Sequence, residues 1–129
     1  MKKIFNILIL LSLGLMVTSC YYDELPLEPV PANVKFSKDV QKIFDQNCIG
    51  CHKGAAPNPA PDLTRANSYL ALTTVVGGES FVIPGDASNS ILFEVMTGHG
   101  EVLMPPNGAL SSTKQKTVEK WINDGAINN

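Results

Sequence analysis

The strongest constraint on this chain of 129 residues is the run Cys48-Ile49-Gly50-Cys51-His52. Two thiols two residues apart, with an imidazole directly after the second, gather three ligating or nucleophilic side chains into one pentapeptide. The fold around them must leave room for whatever they hold. The chain has three cysteines, and the placement of the third, Cys20, decides what remains for disulfides.

Cys20 closes a leader. Lys2 and Lys3 precede an apolar run from Ile4 to Val17, followed by Thr18-Ser19, the charged, apolar and small-residue regions of a secretory signal. Asn6 and Ser12 interrupt the run, which is shorter than the roughly 18 residues a spanning helix wants. Val17-Thr18-Ser19-Cys20 has the form of a bacterial lipobox, whose cysteine is diacylated and becomes the new N-terminus. The expected organisation is a signal peptide over 1–19, a lipidated Pro-rich tether over 20–33 and one domain over 34–129. The protein is expected to be exported and lipid-anchored, with its domain on the periplasmic or cell-surface side. Tyr21, standing where aspartate is associated with inner-membrane retention, favours the outer membrane. Pro26, Pro29 and Pro31 keep the tether extended, and its 13 residues after Cys20 reach on the order of 40 Å at about 3.1 Å each.

With Cys20 carrying lipid, only Cys48 and Cys51 remain, and neither is spare for a structural disulfide. A small exported domain without disulfides needs another staple. Loss of Lys2 and Lys3 leaves 8 basic against 12 acidic residues, so nucleic acid is not an expected partner.

The domain reads as all-α, with about four short helices joined by long irregular loops. Phe36, Val40, Ile43 and Phe44 recur at helical spacing, which places a first helix at 37–47 with Ser37 as N-cap. Pro57, Pro59 and Pro61 force a loop after the pentapeptide. Thr64 is a candidate cap for a helix to Leu72, with Leu63, Tyr69, Leu70 and Leu72 as its apolar surface. A third helix is expected from Ser88 to Gly98, burying Ile91, Leu92, Val95 and Met96. The last runs from Thr113 to Asp124, capped by Ser111 or Ser112 and ended by Gly125. Met104-Pro105-Pro106 is a stiff loop, because each proline pushes its predecessor out of the helical region.

Cys-x-x-Cys-His is the attachment signature of c-type haem: the thiols add across two vinyl groups and the histidine becomes an iron ligand. The expected cofactor is one covalent haem c per chain, held by Cys48, Cys51 and His52. Two other chemistries compete. A redox dithiol would open a helix after a strand, whereas here a helix precedes the pair. A zinc site would recruit Cys48, Cys51, His52 and His99, although adjacent Cys51 and His52 are awkward ligands for one tetrahedral ion. A pentapeptide without function is the remaining alternative.

For the sixth iron position, Met1 and Met16 leave with the signal, so Met96 and Met104 compete. Met96 lies on an apolar helix face, where filling a core gap is the commoner role. Met104 sits on a loop, where functional groups concentrate. His99, between Gly98 and Gly100, would make a bis-histidine site of lower potential.

The pentapeptide, the Met104-Pro105-Pro106 loop and the ending Trp121-Ile122-Asn123-Asp124-Gly125-Ala126 together resemble the small monohaem cytochromes c, in particular exported lipoproteins with an M-P-P loop. The resemblance covers about residues 34–129. It implies the cytochrome c fold wrapped around one haem, thioethers at Cys48 and Cys51, and iron ligation by His52 and Met104. It also implies that the first and last helices cross, setting Phe36, Val40 and Phe44 against Val118, Trp121 and Ile122. The glycine-rich stretch from Thr73 to Gly85 departs from the family pattern.

The expected function is electron transfer between redox protein partners by a membrane-anchored, non-enzymatic protein with no small-molecule substrate. Lys53, Lys114, Lys116 and Lys120 are candidates for a docking patch or a solvated face. The alternatives are a haem-containing accessory subunit of a larger membrane redox complex and a five-coordinate haem enzyme or sensor. No distal His–Arg pair is readable for the enzyme, since Arg65 is the one arginine.

Overall fold

A computed structural model describes residues 29–54, 59–75, 77–100 and 102–129. The leader, Cys20 and the first part of the tether lie outside the described residues. Those residues form an all-α domain without strands: a π-helical turn, Phe36–Val40, running into α1 (Gln41–Asn47), then α2 (Ser68–Thr73), α3 (Ile91–Thr97) and α4 (Ser112–Asn123). Among the described residues, no helix is long and apolar enough to cross a membrane.

The core is where the π-helical turn, α1 and α4 meet. Val40, Phe44, Val118, Trp121 and Ile122 are almost completely buried, and the rings of Phe36 and Trp121 lie 5.0 Å apart between centroids. The first and last helices therefore pack together, as their apolar stripes permit. Met96 and Leu92 of α3 join the same cluster, as do Leu63 and Leu72. Val30, within the expected tether, also packs against it.

The helix ends differ from expectation for a common reason: carboxylates and main-chain groups from elsewhere satisfy the free amides. Ser37 is not the first N-cap. Lys35 is, without a side-chain cap bond, and its amide donates to Asp39 Oδ2 at 2.8 Å. The amides of Phe36 and Ser37 donate to the side chain and carbonyl of Asn129, at 2.7 and 2.9 Å. The last residue of the sequence thus supplies acceptors for the orphan donors of the first helical turn.

Thr64 does not cap α2, which starts three residues later than expected, behind Asn67. The Thr64 hydroxyl instead donates to Asp62. Leu70 is 66% exposed and contributes nothing to the core. Residues 88–90 stay outside α3: Ser88 and Asn89 donate to the Asp86 carboxylate, and Ser90 Oγ donates to the Asp86 carbonyl rather than capping. Ile91 and Val95 are half-buried, so the core face of α3 is Leu92 and Met96.

The C-terminal reading of α4 holds. Gly125 has φ +100°, the Gly125 amide donates to Ile122 O, and the Ala126 amide donates to Trp121 O. That pair of bonds is a Schellman ending, which needs a left-handed residue at Gly125. The glycine-rich stretch after α2 also has a path. Val82 is buried and donates to Leu72 O. Gly85 and Ala87 donate to Ile122 O and Asn123 Oδ1 at the C-terminal end of α4.

Candidate functional site

The pentapeptide begins at the C-terminal end of α1, with Cys48 as the residue closing that helix. Its backbone makes one more turn: the amides of Cys51 and His52 both donate to Cys48 O, at 3.1 and 2.9 Å. Cys48, Cys51 and His52 stand at i, i+3 and i+4 of this turn, the spacing that lines side chains up on one face. Both thiols are free, Cys51 exposed and Cys48 half-buried.

The thiols lack the helix N-terminus that a reactive dithiol uses. A nucleophilic cysteine pair gains its thiolate at a helix N-terminus or beside a cation. Cys48 instead closes a helix, where the backbone dipole is negative, and burial pushes its thiol up to about 11 against the opposing pull of Lys114. The zinc arrangement is not assembled either. His99 is exposed and bonded to Thr97 Oγ1 through Nδ1 at 2.9 Å, and among the described residues no three His, Cys, Asp or Glu side chains gather as a metal site.

The His52 ring is half-buried, and its Nδ1 is fully buried with no hydrogen-bond partner among the described residues. A buried unpaired ring nitrogen is uncommon and marks a ring poised for another role. Two thiols and this imidazole on one face are the donor set for a covalently attached porphyrin, whose iron needs only axial ligands from protein because the macrocycle supplies the rest. The residues present therefore fit haem, with Cys48 and Cys51 as the attachment points and His52 as ligand.

The segment after the pentapeptide is pinned from one side. Leu63 N donates to His52 O at 3.0 Å, and Asp62 accepts from the Thr64 hydroxyl and amide and from Asn67 Nδ2. Hydrogen bonds from Thr64, then from Asn67 and the Gly54 amide, hold the Asp62 carboxyl down at about 2, below its ordinary 3.8. A depressed carboxyl stabilises the fold above its unfolded value and loses that contribution as pH falls through the folded one. Melting temperature followed from pH 3.8 down to about 2 should therefore fall more steeply in the native chain than in Asp62→Asn. Parallel curves would show that these bonds add nothing.

Met96 and Met104 are separated by their surroundings. Met96 is 4% exposed within the core. Met104 is half-buried on the loop after α3, and its amide donates to Val95 O at 2.7 Å. Gly98, at φ +74°, ends α3; a Cβ there would meet Leu103 at 3.4 Å. The C-terminal ends of α1 and α3 both abut the first turn of α4: Lys114 Nζ donates to Asn47 Oδ1 at 3.1 Å, and Gln115 Nε2 donates to Met96 O at 3.2 Å. Among the described residues no hydrogen bond joins Met104 to the pentapeptide, and His99 faces solvent.

Sequence reading missed Gln41, Asp62 and Leu63 as the frame of the site. Gln41 carried a signal: it lies three residues before Phe44 on the apolar stripe, where a polar side chain is buried only if its bonds are satisfied.

These elements define an all-α domain bearing one cysteine–histidine turn after α1 and a methionine loop after α3. No protein-family model matches the chain, and no curated protein does. Among solved structures, the fold is similar to Kuenenia stuttgartiensis hydrazine synthase, with a TM-score of 0.55 and 24% sequence identity over 73% of this chain. The chain spans 16% of the length of that structure's chain, and the likeness is one of fold.

Proposed function

We propose that this chain is a lipid-anchored monohaem c-type cytochrome with a cytochrome c-like fold, carrying single electrons between redox protein partners on the outer side of the membrane. The observation that carries the reading is the turn following α1, which sets Cys48, Cys51 and His52 on one face of an all-α domain. Cys48 and Cys51 would hold the haem covalently, and His52 with Met104 would ligate its iron. Bound there, the haem supplies a one-electron centre whose potential a methionine ligand raises.

The protein's own residues do the rest. The turn holds the imidazole and thiols in fixed relation, so one short stretch of backbone would serve both attachment and ligation. The Val95 carbonyl anchors the Met104 amide, which restrains the loop and favours a site that changes little between oxidation states. The packed core of α1, α3 and α4 excludes water, which disfavours the extra positive charge of oxidised iron. Cys20, lipidated, would tether the domain to the membrane.

A second reading is an accessory haem subunit of a larger complex. It draws on the likeness to a segment forming 16% of a longer chain, and it predicts stable co-purification with other subunits.

The test is an optical spectrum of the mature protein expressed with c-type haem maturation, oxidised and reduced. Sharp reduced bands with a weak far-red band in the oxidised form, the mark of sulfur bound to ferric iron, are expected. Haem without the far-red band would move the sixth ligand to His99 or to an open, catalytic site. Absence of haem would overturn the reading.

A further inference from the structure

A histidine that binds a metal ordinarily donates its second ring N–H to a carbonyl or carboxylate, which fixes the ring. His52 Nδ1 has no such partner among the described residues. The main chain at His52 is held by two bonds: within its own turn the His52 amide donates to Cys48 O at 2.9 Å, and from outside that turn the Leu63 amide donates to His52 O at 3.0 Å.

The other side of the Leu63 residue is held as well. Its carbonyl accepts from Gln41 Nε2 at 3.0 Å, a buried bond across 22 residues of sequence. Gln41 is 1% exposed. Its second amide proton goes to Asp45 Oδ1 at 2.8 Å, and its oxygen accepts from Ser68 Oγ at 2.5 Å. Ser68 is itself fully buried. One glutamine thus ties α1, the start of α2 and the extended residue between them, using both donors and its acceptor.

We infer that Gln41 is the positioning residue for the His52 imidazole, acting through the two faces of the Leu63 backbone. The inference rests on the haem reading for its functional meaning, while the linkage Gln41–Leu63–His52 belongs to the chain alone. A glutamine is suited to this place because it is long enough to reach a carbonyl outside its own helix and stays neutral when buried. Methionine at this position would keep the length and volume but leave Leu63 O and Ser68 Oγ without their partner.

The test compares Gln41→Met with Val118→Ala, a core truncation on α4 that has no bond to this network. Two quantities are read: exchange of the Leu63 amide hydrogen by NMR, and the reduction potential of the covalently bound haem. Gln41→Met should speed Leu63 exchange about tenfold beyond its effect on global stability. It should also change the oxidised-to-reduced ratio at a fixed potential about threefold. Val118→Ala should slacken the whole fold with no selective change at Leu63 and no shift in the ratio. Equal effects of the two variants, or an unchanged Leu63 and potential in Gln41→Met, would overturn the inference while leaving the haem reading intact. Failure of the wild-type chain to take up haem would overturn the haem reading and the functional part of this inference together, with Leu63 exchange still deciding whether the linkage exists.

Discussion

His52→Ala is expected to remove nearly all covalent haem, lowering holoprotein yield about tenfold or more, because attachment depends on holding the macrocycle in place over both thiols. The backbone reason is local. Cys48 O accepts from both the Cys51 and the His52 amides, so the imidazole and the thiols share one turn and no other ring can replace His52 there. His99 is exposed and bonded to Thr97. Haem per mole of purified chain, measured from the alkaline pyridine spectrum, provides the check. A normal haem content would sink the assignment of Cys48-Ile49-Gly50-Cys51-His52 as an attachment site.

The second large effect separates the two methionines. Met104→Ala should retain haem through its thioethers, lose the far-red sulfur band and admit added imidazole or cyanide at the vacated position. The potential should fall by on the order of 100 mV, a modest part of the roughly 0.8 V range that axial ligation commands. Met96→Ala should do none of this. Met96 is 4% exposed in the core with Leu92 and Trp121, so its loss should cost about 2–5 kcal/mol and lower the melting temperature by on the order of 10 °C or more. Reversal of these phenotypes would reassign the sixth ligand to Met96. The contrast follows from context: one thioether fills a packed interior, and the other lies on a half-buried loop tied to Val95 O.

Helix identity was more legible than helix ends. The stripe Phe36, Val40, Ile43 and Phe44 and its counterpart Val118, Trp121 and Ile122 are local patterns with helical period, and each became a buried face. Capping was misread at Ser37 and Thr64 because hydroxyls next to an apolar run are a statistical signal. The acceptors actually used are Asn129 for the first helix, the Thr64 carbonyl for the Ser68 amide of the second, and the Phe81 and Ser90 carbonyls for the Leu92 and Phe93 amides of the third. A residue 93 positions distant in sequence cannot be seen by a window of a few residues.

The same division runs through the candidate site. The sequence by itself determined the spacing of Cys48, Cys51 and His52 within one turn, on which the proposed attachment rests, and it determined which faces must be buried. Tertiary structure decided the rest. It placed Met96 in the core and Met104 on a half-buried loop, brought Gly85 and Ala87 against the end of α4, and made Gln41 a buried brace on the His52 segment. The physical reason is that local periodicity records which side of an element avoids water, whereas a hydrogen bond between distant segments exists only after packing has brought donor and acceptor together and excluded the water that would otherwise satisfy both.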